Sequence, residues 1–342
     1  MEKQALLLSL TAVAITLLLI SLQPESNSQL LLKKHQITEF ATFRSEFKRR
    51  YNSESETEYR FMVFQSNLNL IESHNINSLK TYSLAVNEFA DMTFEEFSSK
   101  YLGSENGEFS QLNIKPTYLD PTNLGEETEV DWNKKGVVRP PRNQGLCNSC
   151  WAFTAVSAME SALAIFLGQK ELNLSEQELL DCSGDYDNKG CWGGWSSNAY
   201  KYIKEHGVNL GNDYPYNSKA GECKKDLFDK GPYRVKGHTF IPLGVEHVVT
   251  ATRKQPAAVS MAVIPAFMFY RSGVYNPGSC GTTTNHSVTV VGFKLDAELP
   301  YFIVKNSWVT IWGEKGFFRI AIGKAQGTCH MGSSVYNCYP QV

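Results

Sequence analysis

All eight cysteines of this 342-residue chain lie between Cys147 and Cys338, and the first 146 residues contain none. Any disulfide framework therefore belongs to the second part of the chain. Four pairs would satisfy the even count, whereas one nucleophilic cysteine would leave at least one other unpaired. Cys147-x2-Cys150 also has zinc-ligand spacing, but no second pair of that kind follows, so no metal is expected.

Cysteines pair in oxidising compartments, and the N-terminus points to one. Lys3 is followed by an uncharged run from Ala5 to Leu22 and a small-x-small site, Ser26-Asn27-Ser28. Residues 1–28 read as a secretory signal peptide. The apolar run is long, which makes an uncleaved anchor the rival reading. Both send the rest of the chain into the secretory pathway, to a lysosome, a vacuole or the extracellular space.

Charge divides the chain again. Residues 1–127 hold 11 Lys/Arg against 17 Asp/Glu, a balance of -6, and residues 128–342 hold 22 against 18, a balance of +4. The net charge of -2 argues against nucleic acid as a partner. The opposite signs suggest that the first part docks on the second. Hydrophobic residues at 42% are ordinary for a globular protein, and no fixed-period repeat indicates a solenoid.

From Ile37 to about Ser78 the pattern is helical. Glu56, Arg60, Phe64, Asn67, Ile71 and Asn75 recur at three- and four-residue steps, on one face of a single helix. Four of the six are polar, so this face is expected to cross another helix and bond to it. Ala85, Asn87, Phe89 and Asp91 alternate as a short strand would. Residues 98–127 read as an extended linker open to proteolysis. A new unit starts near residue 128. There Ser149 is placed to cap a helix from Cys150 to about Leu167, and Ser175 to cap another with Glu178 three residues on. Strand-like runs follow at Ala257–Val263, Ser287–Phe293, Tyr301–Val304 and Gly316–Ile322. Helices first and strands later imply an α+β unit of two lobes.

Three segments carry reactive groups. Cys150 stands at the first turn of its helix, where free N–H groups and the macrodipole favour a thiolate. His286 precedes a strand run, and Asn306 ends another. Position alone leaves Cys150 equally open to a disulfide, His286 to a structural role and Asn306 to a turn.

Together, QGLCNSCWAF (144–153), NHSVTVVGF (285–293) and YFIVKNSWVTIWGEKGFFRI (301–320) resemble the papain-like cysteine proteases. GCWGGW at 190–195 is similar to that family's substrate-binding glycine turn, and SEQELLDC at 175–182 is also family-like. The six-residue helix stripe resembles the inhibitory propeptide of the cathepsin L-like branch. The resemblance covers about residue 38 to the C-terminus. It implies a helical lobe and an antiparallel β-barrel lobe with the active-site cleft between them, behind a helical propeptide. The domains would be a signal peptide (1–28), a propeptide (29–127, helical core about 38–97) and a peptidase domain (128–342).

By the same resemblance Cys150 would be the nucleophile and His286 its base. Asn306 would orient the imidazole, Trp308 would shield that bond, and Gln144 would donate to the oxyanion. Gly193, Gly194, Trp195 and Ala262, with Ser334, would line the cleft and its pocket for the second residue before the cut. An apolar or aromatic guest is expected there. The implied disulfides are Cys147–Cys191, Cys182–Cys223 and Cys280–Cys329, leaving Cys338 as a buried thiol or an intermolecular pairing site. Asn173 is the expected glycan acceptor, and Asn285, beside His286, is expected to be bare. No cofactor is implied. The expected partners are peptide substrates and the chain's own propeptide, with a monomeric mature form off the membrane.

Two departures touch the cleft. Asn148 and Val309 stand where the family usually has glycine, and a β-branched residue would be strained at positive φ. They keep open a second reading, a catalytically silent binding protein on the same scaffold. For the proteolytic reading, maturation is expected in acid, with a cut between about Ser98 and Val130. Protonation of Glu56 is expected to loosen the propeptide helix.

Overall fold

A computed structural model describes residues 27–103, 119, 125–281 and 283–342. All but the last two residues of the expected signal peptide, and residues 104–118 and 120–124 of the stretch expected to hold the maturation cut, lie outside the described residues. The chain divides after Leu68 into two units.

In the first unit, the helical stretch expected from Ile37 is divided between α1 (Asn27–Glu46) and the start of α2 (Glu54–Asn75), and α2 carries all six positions of the stripe. The break has a local cause. Lys48 sits at φ 51, and Ser53 Oγ accepts from Glu56 N, starting the helix afresh. The two helices meet through aromatic rings, Phe64 lying 5.3 Å from Phe40 and 5.1 Å from Phe43 between centroids. Gln65 Nε2 donates to Gln36 Oε1 at 2.7 Å across the same seam. Glu56 differs from expectation. Its carboxylate accepts from Asn52 N at the mouth of its own helix and is half-exposed, so it belongs to no buried network.

The second unit begins within α2. Asn75 Nδ2 donates to Leu84 O and its Oδ1 accepts from Leu84 N, tying the helix end to strand β1 (Tyr82–Leu84). The alternation at Ala85–Asp91 is not a strand. Asn87 Oδ1 accepts from Phe89 N, and Ala90 N donates to Asn87 O, which turns the chain. Residues 98–101, expected as linker, are helical. Thr93 and Glu96 form a capping box that opens α3 (Phe94–Tyr101). That three-residue spacing of Thr93 and Glu96 was legible in the sequence.

Beyond the linker come β2 (Glu129–Asp131), α4 (Cys150–Leu167), α5 (Glu176–Cys182), α6 (Ser196–His206), β3 (Gly237–Phe240), α7 (Val245–Lys254), β4 (Ala257–Met261), β5 (Tyr270–Tyr275), β6 (His286–Lys294), β7 (Tyr301–Lys305), β8 (Phe317–Ala321) and β9 (Cys338–Gln341). The strands run in the order β1-β5-β8-β7-β6-β4-β9-β3, with β2 on β6. Among the described residues every strand pairing is antiparallel except β5 with β8, so the sheet is the antiparallel-rich one expected.

The fold is the two-lobed one, helices on one side and the sheet on the other. Between them α4 packs against α5, α6 and β6. Its length and hydropathy would also suit a membrane span, but 83% of it is buried by protein, as a core helix is. Three disulfides are formed, Cys147–Cys191, Cys182–Cys223 and Cys280–Cys329. Cys338 is fully buried on β9 with its thiol pKa pushed up by burial, so it is not an exposed intermolecular pairing site.

Candidate active site

Strand register brings histidine and asparagine together. β6 begins at His286 and pairs with β7, Thr289 lying opposite Lys305, and Asn306 directly follows that strand. His286 Nε2 lies 2.8 Å from Asn306 Oδ1. The same Oδ1 accepts from Ser307 N at 2.8 Å, which identifies it as the oxygen. The ring therefore donates from Nε2, and Nδ1 is left as the basic nitrogen. Nδ1 is buried and has no hydrogen-bond partner. Trp308 stacks on the imidazole at 4.6 Å, shielding the His286–Asn306 bond from water. Burial pulls the His286 pKa down to about 4, against a smaller upward pull from Asn306.

Cys150 is the first residue of α4 and is 2% exposed. Ser149 precedes it without capping the helix by its side chain. Its hydroxyl instead bonds Tyr216 Oη at 2.7 Å and Cys147 O. The helix N–H groups next to the sulfur are thus not taken by that hydroxyl. Ser175 does cap α5, accepting from Glu178 N. Glu178 does not return the bond but holds Asn209 and Tyr202.

Gln144 joins the two walls. Its backbone N–H donates to Ser307 O at 2.9 Å, and its Oε1 accepts from Ser307 Oγ at 2.6 Å. Its Nε2 points the other way, to Cys147 O at 2.9 Å and to Tyr101 O at 3.1 Å. Ser307 was missed in the sequence, although it adjoins Asn306.

The propeptide end occupies this site. A Cβ added to Gly103 would lie 3.5 Å from Cys150 Sγ and 3.8 Å from Gly193 Cα. Phe97 meets Trp308 edge-on at 5.0 Å, and Phe89 does so at 6.1 Å. Asn148 Nδ2 donates to Ser99 O at 3.2 Å. Upstream, Asn87 Nδ2 donates to Met268 O, and β1 pairs with β5. Cys150 is covered by backbone, with no side chain at the covering residue.

Of the two departures, Asn148 is harmless to the backbone, because Gly145 (φ 58) and not Asn148 takes the positive φ of that turn. Val309 is strained, a β-branched residue at φ 64. Val309→Gly is therefore expected to stabilise the protein by about 1 kcal/mol net of the extra chain entropy of glycine. Thermal unfolding of the two proenzymes checks this, and an unchanged or lower Tm in Val309→Gly would contradict it.

The glycine turn is packed tightly. A Cβ on Gly194 would meet Asn188 Oδ1 at 2.5 Å and the Trp151 ring at 2.8 Å, so no larger residue fits. Trp195 is half-buried and stacks on Tyr336, while Ala262 is buried with its N–H on Cys329 O. Ser334 Oγ accepts from Tyr336 N. Asn173 is half-buried with Oδ1 held by Arg142. Both ends of the Asn285 amide bond the backbone of Val263.

Behind Asn306 and Ser307 lies a buried charge cluster. Arg142 grips Glu160 at 2.9 and 3.0 Å and Glu176 at 2.9 Å. Burial raises Glu176 to about 7 and lowers Lys305 to about 8. Breaking such a pair leaves an uncompensated buried charge, so the cluster anchors Asn143-Gln144 and the end of β7 in one arrangement.

Residues 127–339 match the family model described as papain family cysteine protease, and residues 40–97 match the cathepsin propeptide inhibitor domain (I29). Thiol protease aleurain of Arabidopsis thaliana is 38% identical over 88% of this chain and 84% of its own. Cathepsin L 2 of Paramecium tetraurelia is 39% identical over 85% and 89%. Among solved structures, a recombinant stem bromelain precursor superposes with a TM-score of 0.81 at 33% identity, over 90% of this chain and 99% of its own. The ragweed pollen allergen Amb a 11, in its proform, gives 0.81 at 33% identity over 93% and 98%. A thiol at a helix start, a histidine held by asparagine and a propeptide laid over both have the same meaning in sequence and in space: the chain belongs to the papain family of cysteine proteases and is made with a cathepsin-type inhibitory propeptide.

Proposed function

We propose that the chain is an endopeptidase whose nucleophile is Cys150 and whose base is His286 Nδ1. Nδ1 takes the thiol proton, and Sγ attacks the peptide carbonyl carbon. The carbonyl oxygen becomes an oxyanion held by Gln144 Nε2 and the N–H of Cys150, two donors worth about 3 kcal/mol each. Collapse expels the amine, which takes the proton from His286. Water then attacks the thioester, His286 accepts its proton, and the acid leaves with Sγ regenerated. Asn306 positions the ring throughout. The pocket beside Trp195 and Ala262 takes an apolar side chain from the second residue before the cut. Three disulfides and cathepsin-like relatives support the secretory pathway, with a lysosome or vacuole as destination.

The observation that carries the reading is the contact of Gln144 Nε2 with the carbonyl of Tyr101. The donor assigned to the oxyanion already holds a peptide carbonyl. A thiol-directed epoxide added after acid maturation is expected to label Cys150 stoichiometrically and stop peptide hydrolysis. Peptide binding without labelling would instead establish the silent binding protein.

A further inference from the structure

Lys305 ends β7, directly before Asn306, and is only 5% exposed although it carries a charge. Register sets it opposite Thr289 of β6, so the two side chains leave the sheet on the same face. Thr154 and Ser157 stand three apart on α4, on one helix face. Together with Arg142 and Asn306 these four line a small cavity between the helix and the strand pair. It has room for one water-sized species.

The polar groups of this cavity call for an acceptor. Lys305 feels Glu160 and Glu176 only at a distance and bonds neither. Asn306 Nδ2 and Ser157 Oγ are buried without a protein partner. Buried donors left unpaired are costly, and a buried ammonium most of all. No carboxylate lines the cavity, and Arg142 holds both Glu160 and Glu176 for itself.

We propose that this cavity binds a small monovalent anion of the size of chloride, held by Lys305 Nζ, Asn306 Nδ2 and Ser157 Oγ. The bound anion accepts from Nδ2 and so fixes the Asn306 amide with Oδ1 towards His286 Nε2. Glu176 links uptake to acid. It faces Arg142, Glu160, Lys305 and Tyr216, and Lys305 also faces Arg139, which is paired with Glu171. Burial raises Glu176 to about 7, whereas Lys305, lowered to about 8, stays charged below that pH. With both carboxylates ionised, Arg142 and Lys305 are balanced. Once Glu176 takes a proton the group carries one net positive charge, and an anion restores neutrality.

The test follows thermal unfolding of the full-length Cys150→Ala proenzyme at constant ionic strength, with sodium chloride or bromide exchanged for gluconate, an anion too large for the cavity. At pH 5, about 0.1 M halide is expected to raise Tm by about 3 °C, with a saturable midpoint. At pH 8 the rise is expected to vanish. Lys305→Met keeps the apolar stem without the charge and is expected to abolish the rise at pH 5. Ser157→Ala deletes one donor and is expected to weaken the halide midpoint about tenfold. In crystals grown in bromide at pH 5, an anomalous peak is expected between Lys305 and Asn306. No peak there, or a rise that persists at pH 8 or in Lys305→Met, would leave a general salt effect and overturn the proposal. If Lys305→Met fails to fold, the Ser157→Ala midpoint and the bromide peak decide. None of these readings needs peptidase activity, so the proteolytic reading stands or falls separately.

Discussion

Cys150→Ala is expected to lower peptide hydrolysis by roughly 10⁴-fold or more while leaving the fold intact. Sγ is the atom that forms the new bond, so no neighbour can substitute for it. Removing one sulfur from the start of α4 costs little packing, because the side chain shrinks by a single atom. Asn306→Ala is a contrasting case. It leaves thiol and imidazole in place and removes only the oxygen that holds Nε2 at 2.8 Å, so a loss of about 10²-fold is expected. Active-site-titrated kcat/KM for both variants, with circular dichroism as the fold control, decides the matter. Residual turnover within tenfold of the native rate in Cys150→Ala would show that the nucleophile lies elsewhere. Equal and complete losses in the two variants would contradict the division into reacting and positioning residues.

The proenzyme is expected to lose stability as pH falls from about 6.5 towards 4, with His286 as one cause. Burial lowers its pKa from the ordinary 6.5 to about 4 in the closed proenzyme. A depressed histidine pKa means that the folded state disfavours the charged ring. Its stability is therefore complete above pH 6.5 and is lost as pH falls through about 4. The difference is worth on the order of 3 kcal/mol. Glu176, raised to about 7 by burial, works with the opposite sign, because the folded state prefers its protonated form and gains as pH falls. The net slope therefore has to be dissected by variant. In Cys150→Ala proenzyme, Tm between pH 7 and pH 4 is expected to fall more steeply with His286 present than with His286→Gln. Parallel slopes would remove His286 from the mechanism. The -6 and +4 charge balances of the two parts act in the same sense as His286, since carboxylates on the propeptide lose charge near pH ~4. Cleavage of the Cys150→Ala proenzyme by a trace of active enzyme, equally fast at pH 7 and pH 4.5, would discount both.

The difference between what was read in sequence and what needed coordinates has a physical pattern. Local chemistry was legible. The helix from Cys150 to Leu167 follows from its apolar run, and the four main strand runs of the sheet follow from β-branched and apolar alternation. Where side-chain bonds compete with the backbone, the pattern misled. The Asn87 turn interrupts an apparent strand, and Ser149 spends its hydroxyl on Tyr216 instead of on the helix. Val309 shows a third kind of case, a strained conformation foreseen conditionally and fixed at φ 64 by the surrounding turn.

The sequence by itself determined the reactive residue types, their order and the existence of a separable acidic first part, because these are properties of covalent chemistry and composition. Only the tertiary structure decided which atoms face one another. The Nε2–Oδ1 contact of His286 and Asn306 depends on the register of β6 against β7, which no single strand encodes. The carbonyl of Tyr101 on Gln144, and Tyr336 on Trp195, join residues 43 and 141 positions apart. Such contacts are settled by how the whole sheet and helix layer pack, since a pairwise bond worth about 1 kcal/mol cannot choose its partner across that much chain on its own.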